Sequence, residues 1–300
     1  MYIQTEALNK SFRRHEALHG VSLRVPEGAI YALIGANGAG KTTTIKALLN
    51  IIAPTSGRAE VLGVDSRRLS PREYAQIGYV SENQELPRRL TVRQYFEYLR
   101  PFYPTWDESL ASDLIAGFQL PVDTRIQDLS HGTRMKASLA SALCYRPKLL
   151  VLDEPFSGLD PLVRDELMER LLQQAQDMTV LLSSHELDEI EGSVTYVGYL
   201  ERGHLLFQES MEALGARVRE VRVTTQGPAV IPDNVPDNWL DLDVSGSVLR
   251  FVDIGFSSER LKTAIDSLAL ALQDVEVQPM PLRSIFTALA RSGQRRGVSA

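Results

Sequence analysis

Eight consecutive residues, Gly35-Ala36-Asn37-Gly38-Ala39-Gly40-Lys41-Thr42, have the make-up of a loop that holds phosphates. Glycines at these spacings let successive backbone N–H groups converge on anionic oxygens, and the positive end of a following helix favours the same charge. Lys41 is then placed to reach the β- and γ-phosphates of a nucleoside triphosphate, and the Thr42 hydroxyl to ligate Mg²⁺. The flanks fit. Ala29 to Ile34 is an apolar run that reads as a strand, and Lys41 to Leu49 has a helical pattern, so the glycines sit between strand and helix as this chemistry requires.

Kinases, GTPases, recombination ATPases and transport ATPases all use such a loop, and the downstream residues narrow the choice. Leu149-Leu150-Val151-Leu152 has the continuous apolar character of a buried parallel strand and delivers Asp153-Glu154-Pro155 at its C-terminal end, where open α/β sheets bind ligands. Asp153 suits the Mg²⁺ side. Glu154 suits a general base that polarises the attacking water. Taken alone, the pair is equally readable as surface acids, and the phosphate loop upstream decides for the catalytic reading. A turn-rich stretch, Phe156-Ser157-Gly158-Leu159-Asp160-Pro161, follows. Thr179 to Leu182 is a second buried-strand pattern that ends in Ser183-Ser184-His185. A lone histidine at a strand end is commonly a cap or a surface residue. Beside the strand that carries Glu154, a γ-phosphate contact is the better reading for His185.

Gly35–Thr42, Leu129-Ser130-His131-Gly132, Leu149–Glu154, Ser157–Asp160 and His185 stand in the order of an ATP-binding cassette (ABC) ATPase, which about the first 215 residues resemble. The resemblance implies an α/β P-loop NTPase fold: a RecA-like core with an antiparallel β subdomain and a helical subdomain at about 83–130. It also implies two copies that sandwich two ATP molecules head to tail. Each site then joins the phosphate loop of one subunit to the Leu129–Gly132 signature segment of the other. Carried over, Ser130 and Gly132 contact the partner's γ-phosphate, a helix beginning near Thr133 aims its N-terminus at that charge, and Asp160 lies across the dimer interface. Phe12 stands where the family usually has a tyrosine and supplies an adenine platform, with a core or hairpin role as the alternative. The implied nucleotide-contacting set is Phe12, Gly35, Asn37, Gly38, Ala39, Gly40, Lys41, Thr42, Thr43, Ser130, Gly132 and Asp160. The implied catalytic set is Lys41, Glu154 and His185, and the Mg²⁺ set is Thr42, Glu82 and Asp153.

Three residues depart from the family pattern. His131 replaces the second glycine of the signature, Thr133 the glutamine after it, and Glu82 the glutamine that follows Ile77–Ser81. A glutamate can approach Mg²⁺ but lacks the amide donor, and Gln84 is close enough to substitute if the loop shifts. Every phosphate and metal ligand proper is present, which points to an active ATPase.

The elements around these residues divide the chain. Residues 1–80 read as strands and turns leading into the nucleotide core, and Thr91 to about Leu129 reads as mainly helical, punctuated by Pro101, Pro104 and Pro121. Between Glu82 and Tyr98, the apolar Leu86, Leu90, Val92, Tyr95 and Phe96 alternate with Arg88, Arg89 and Arg93. They offer apolar surface to a partner helix or fill the subdomain's own core, the second especially for Val92 and Phe96. The core resumes at Lys148 and runs to about Gly215, giving an ATPase domain at 1–215. Residues 216–300 read as a small accessory α+β domain. Val218–Val223 and Ser247–Val252 alternate as half-buried strands, with a loop at Pro232–Asn238 between them. Leu261 to Leu272 reads as an amphipathic helix, Val275–Val277 as a strand and Leu282–Ala290 as a last helix. The closing Pro281-Leu282-Arg283-Ser284-Ile285-Phe286 is similar to the ending of ABC-2 type exporter ATPases, which include drug- and antibiotic-resistance exporters.

Composition fits a cytoplasmic subunit peripheral on the membrane's cytoplasmic face. No stretch approaches the roughly 18 apolar residues of a membrane span, and the N-terminus has no signal-peptide pattern. The single cysteine, Cys144, lies in a helical apolar stretch and reads as a buried thiol, which leaves no disulfide within the chain. A net charge of −6 argues against bulk nucleic-acid binding, and Arg291, Arg295 and Arg296 read as a solvated tail, with anionic lipid contact as the alternative. The implied partners are integral membrane permease subunits and a second ATPase subunit, in a homodimer or a heterodimer. The competing class is a soluble ABC ATPase acting on ribosomes or DNA. Those relatives carry two cassettes, long coiled coils or zinc-binding cysteines, and this chain shows one cassette, no long heptads and one cysteine.

Overall fold

The structure, a computed structural model, describes residues 1–300 except 14, 176–177, 187–191, 233, 268–270 and 298–300, and of 290–297 the backbone alone. The chain separates into two compact units, Met1–Gln208 and Glu209–Ala300. The boundary read from sequence, at 215, falls inside a helix.

The first unit opens with β1 (Ile3–Phe12), β2 (His15–Val21), β3 (Arg24–Val25), β4 (Ile30–Ile34), α1 (Lys41–Leu48), β5 (Ser56–Val61) and β6 (Val64–Asp65). It continues with α2 (Pro71–Tyr74), β7 (Ile77–Ser81), α3 (Val92–Leu99), α4 (Glu108–Gly117), α5 (His131–Leu143), β8 (Leu149–Asp153), α6 (Pro161–Gln174), β9 (Thr179–Ser184), β10 (Tyr196–Glu201) and β11 (His204–Ser210). One sheet is antiparallel, ordered β2-β1-β5-β6 with β3 beside β1. The other is ordered β11-β10-β4-β9-β8-β7 and is parallel from β10 to β7. Every residue of β8 and β9 is buried, as two-sided covering by helices demands of central parallel strands. One apolar cluster runs from Ile3 and Leu8 of β1 through Tyr31 of β4 and Ile45 of α1 to Leu149 of β8.

The register of this sheet determines where chemistry can happen. Ser81 pairs level with Asp153, and Asp153 with Ser183, so three adjacent strands end on one line. Glu82, Glu154 and Ser184-His185 therefore emerge together, beside the loop that leaves β4 at Gly35.

The helical subdomain forms around α3, whose start is a capping box: Thr91 Oγ1 accepts the Gln94 N–H (3.2 Å) and Gln94 Oε1 accepts the Thr91 N–H (3.0 Å). Val92, Tyr95 and Phe96 fall on one face of that helix and are buried, as is Leu86. Val92, Tyr95 and Phe96 fill a core and are not free surface for a partner. The exposed aromatic pair lies farther on, at Tyr98 and Phe102. Helix α5 begins at His131, two residues before the expected start, because Ser130 caps it by accepting the Thr133 N–H (3.1 Å). Cys144, at its end, is buried, and burial pushes its thiol up to about 12.

The second unit holds α7 (Met211–Arg217), β12 (Arg219–Thr225), β13 (Trp239–Ser245), β14 (Val248–Asp253), α8 (Ser258–Ser267), β15 (Leu272–Pro279) and α9 (Leu282–Gly297). Its strands form an antiparallel sheet ordered β13-β14-β12-β15. Strand β13 has no counterpart in the sequence reading, although Leu240 to Val244 alternate apolar and acidic residues; its pairing with β14 shifts register between Leu240 and Asp243, where Asp241 has a positive φ. Residues 268–270 of the expected Leu261–Leu272 helix, and the side chains of Arg291, Arg295 and Arg296, lie outside the described residues. The core joins Val221, Val223, Leu249 and Phe251 of the sheet to Leu261 and Ile265 of α8, with the Trp239 ring stacked on Phe251 at 3.8 Å.

That stack makes the second unit's stability measurable by itself. Trp106, the other tryptophan, has a buried Nε1 without a hydrogen-bond partner among the described residues, so Trp106→Phe removes its fluorescence at little cost. In that background Phe251→Ala is expected to destabilise the second unit by about 3–5 kcal/mol, read as an earlier Trp239 transition in urea. An unmoved midpoint would contradict this packing.

Candidate active site

The loop Gly35–Gly40 turns tightly enough to bare the first N–H groups of α1. Gly40, the N-cap, has φ +106°, and a Cβ there would stand 2.8 Å from the Ala17 carbonyl oxygen. A Cβ on Gly35 would stand 2.2 Å from the Leu200 carbonyl oxygen. Neither position admits a side chain. No side chain caps α1, so its N-terminal donors remain available to an anion.

Behind this loop lies a buried charge. The side chain of Lys41 is 4% exposed, and its Nζ donates to the carbonyls of Gly35 and Ala36 and lies 2.9 Å from Glu154 Oε1. The other Glu154 oxygen, Oε2, is 2.8 Å from His185 Nδ1. Glu154 reaches both partners from a left-handed backbone, φ +53°, at the end of β8. Its N–H donates to Ser183 Oγ (3.0 Å). That hydroxyl in turn donates to Asp153 Oδ1 (2.8 Å), and Thr42 Oγ1 donates to the same oxygen (2.9 Å). Burial raises the Asp153 carboxyl above its usual range, an effect the two hydroxyl donors only partly offset.

A cavity of about 550 Å³ opens onto these groups. Its wall includes Phe12, Asn37, Gly38, Ala39, Gly40, Lys41, Thr42, Thr43, Glu82, Glu154 and His185, so most of the residues named from sequence meet in one place. Phe12 is 45% exposed at the β1–β2 hairpin, with Lys10 Nζ 4.8 Å from its ring centroid. His15 and Ala17 line the same cavity and carry no sequence signal of their own, and Ser157, which opens the Ser157–Asp160 motif, lines it as well. The Ser183 bridge likewise appears only once the β8–β9 register is known. Ser130, Gly132 and Asp160 do not line this cavity. Ser130 Oγ is engaged with Thr133 Oγ1 (2.8 Å), Gly132 abuts Val163, and Asp160 caps α6 by accepting the Val163 N–H (3.1 Å). Gln84 turns its Oε1 back towards the Ser81 N–H (3.4 Å), which leaves Glu82 as the residue of that loop in the cavity wall.

Comparison with known proteins decides what this site belongs to. Residues 18–157 match the family model described as ABC transporter. The bacitracin transport ATP-binding protein BcrA of Enterococcus faecalis is 31% identical over 298 residues, 97% of this chain and 97% of the relative. The chain belongs to the ABC transporter family, as an ATP-binding, ATP-hydrolysing subunit. The ABC transporter ATP-binding protein YtrB of Bacillus subtilis (strain 168) is 28% identical over 299 residues, 98% of this chain and 99% of that one. Both alignments run the full length, so the family resemblance extends through the second unit. A solved ATP-binding subunit of an ABC transporter superposes with a TM-score of 0.65 at 27% identity, covering 71% of this chain and 92% of that chain. These relatives favour the transporter reading over the ribosome or DNA alternative. Among the described residues, no helix is long and apolar enough to cross a membrane.

The raised Asp153 carboxyl yields a prediction. A carboxyl raised by folding stabilises the protein fully only below its unfolded value, and that contribution is lost as pH rises through the folded value. Asp153→Asn keeps an acceptor for Thr42 and Ser183 without the buried charge. At neutral pH and without nucleotide, this variant is expected to melt higher than the parent, with the gain shrinking as pH falls, while its turnover drops. A lower melting temperature at neutral pH would show that the charge is compensated by contacts other than these.

Proposed function

We propose that this ABC ATPase closes as a dimer on ATP, hydrolyses it with Glu154 as base, and thereby powers a membrane exporter whose channel subunits are separate chains. The observation that carries this reading is the shared wall of the cavity, where Lys41, Thr42, Glu154, His185 and Phe12 meet around a space lined by bare α1 N–H groups. Phosphates bind to the loop and Lys41, and adenine stacks on Phe12. The Thr42 hydroxyl and the Asp153 carboxylate, with Glu82 in the wall, are hard oxygen donors that suit Mg²⁺, which would neutralise phosphate charge. Glu154 and Lys41 neutralise one another before nucleotide arrives. Phosphate oxygens compete for the ammonium, and a Glu154 oxygen is released towards the attacking water, with His185 holding the other.

Ser130, Gly132 and Asp160 lie outside their own chain's cavity, which suits a role towards a second subunit. Next to the nucleotide cavity, a cleft of about 520 Å³ is lined by Asn83, Glu85, Leu86, Arg88, Gln127 and Arg134 among others. It is the seat we assign to a short cytoplasmic helix of the membrane subunit, and on this reading the chain works at the cytoplasmic face of the membrane.

Glu154→Gln is expected to bind ATP at least as tightly as the parent, because Lys41 loses its competing anion, and to lose turnover about 10²–10⁴-fold. Lys41→Ala should weaken binding itself. The Glu154→Gln protein should be dimeric by light scattering with ATP and monomeric with ADP, and adding Ser130→Arg should leave it monomeric with nucleotide still bound. A double variant that stays dimeric would count against the sandwich.

The exporter half has a separate test. Cysteines at Glu85 or Arg89, both exposed, should crosslink to a cytoplasmic helix of a co-expressed integral membrane protein. Cys144 is buried with a raised thiol and will not compete for the reagent. Recovery with ribosomes or DNA and no membrane crosslink from either position would overturn the assignment.

A further inference from the structure

His131 stands where the family's signature normally has glycine, and the contact it makes is one glycine cannot make. It opens α5, and its Nε2 lies 3.1 Å from the carbonyl oxygen of Ser157, on the turn between the Glu154 strand and α6. A carbonyl only accepts, so Nε2 carries the proton in this bond. Within the turn the Ser157 N–H donates to Glu154 O (3.3 Å) and the Leu159 N–H to Phe156 O (3.2 Å), and the His131 bond adds a hydrogen bond to it from α5. Gly158 takes a left-handed φ of +67°, and a Cβ there would lie 4.0 Å from His131 Nε2. Two further contacts continue the same seam between α5 and α6. A Cβ on Gly132 would lie 3.2 Å from Val163 Cγ1, and Lys136 Nζ meets Glu166 Oε2 at 2.6 Å.

We infer that His131 is a positioning residue that ties the Ser157–Asp160 turn to the signature segment, so that Ser130, Gly132 and Asp160 are presented to a second subunit as one surface. The inference rests on the dimer reading above. Ser157 lines the nucleotide cavity of its own chain, and His131 lines the neighbouring cleft. The tie therefore also joins the wall of one cavity to the wall of the other. A freely moving turn would have to be ordered at each closure, and the histidine bond holds it in place beforehand.

Substitution at 131 tests this cleanly, because the side chain is exposed and not part of the core. The glutamine amide nitrogen is as many bonds from Cα as histidine Nε2, and the asparagine amide is one bond short. Two measurements are made on His131→Gln and His131→Asn. In the nucleotide-free protein, amide hydrogen exchange of a peptide spanning residues 156–160 should speed up about three- to ten-fold in the Asn variant and return close to the parent in the Gln variant. Steady-state turnover should fall by a similar about three- to ten-fold in the Asn variant with nucleotide binding to the monomer unchanged, and recover in the Gln variant. Exchange is read without dimerisation, whereas ATP-dependent dimerisation of Glu154→Gln tests the dimer reading by itself, so the two can fail separately. Equal exchange in both variants overturns the tie. Faster exchange in the Asn variant without loss of turnover overturns its role in presenting the surface.

Discussion

The ammonium of Lys41 is the charge around which the site is arranged. At 4% exposure it has left water almost completely, and an isolated buried cation costs several kcal/mol, so partners must be supplied by the fold. Two carbonyls of the phosphate loop and the Glu154 carboxylate supply them. The requirement binds three pieces of chain together: the loop after β4, the end of β8 and, through the Glu154–His185 contact, the end of β9. It also sets the resting state. A carboxylate whose two oxygens are held by Lys41 and His185 is not free to polarise water, so in the role proposed for Glu154 the ion pair and the base compete for one side chain.

Glu154 can serve both partners only because its backbone leaves the strand sharply. A left-handed conformation in a residue with a Cβ costs about 1–2 kcal/mol, and here the N–H bond to Ser183 and the ion pair with Lys41 offset it. One hydroxyl, that of Ser183, accepts from the Glu154 backbone while donating to the Asp153 carboxylate. The relative placement of the two acids thus depends on the parallel register of β8 and β9, with Asp153 level with Ser183. A one-residue slip of β8 would turn its side chains to the opposite face and carry Asp153 and Glu154 out of register with Ser183.

Local chemistry made most of this legible before any coordinates. The glycine loop, the strand that delivers Asp153-Glu154 and the strand that delivers His185 each carry a pattern tied to a backbone requirement, and they meet around one cavity. What stayed hidden depends on neighbours distant in sequence. Ser183 and Ser157 are ordinary polar residues until the sheet register and the α5–α6 seam bring them to Asp153 and His131. Leu86 and Tyr95 read as surface or core alike, because period alone cannot say what covers a helix face, and the fold buries them. Strand β13 is missed by the sequence reading although Leu240 to Val244 alternate apolar and acidic residues; the register shift between Leu240 and Asp243, where Asp241 takes a positive φ, is visible only in the structure. The start of α5 moved for a smaller reason: Ser130 is both a signature residue and a helix cap, and its capping role sets the boundary.

Glu82 ties the two cavities to each other. Its N–H donates to Asp153 O (3.1 Å), so its backbone follows the end of β8, and its side chain lies in the wall of both the nucleotide cavity and the adjoining cleft. A residue shared by two walls cannot be arranged by one occupant without altering what the other meets, and coupling between ligands requires such differential contact. The departure from glutamine changes the kind of contact. A carboxylate only accepts, and with Asp153 and Glu154 nearby it adds a further negative group beside the phosphate loop, where an amide would have offered a donor. On the proposed reading, what Glu82 can offer an occupant of either cavity is negative charge and acceptor oxygens, and not a donated hydrogen bond.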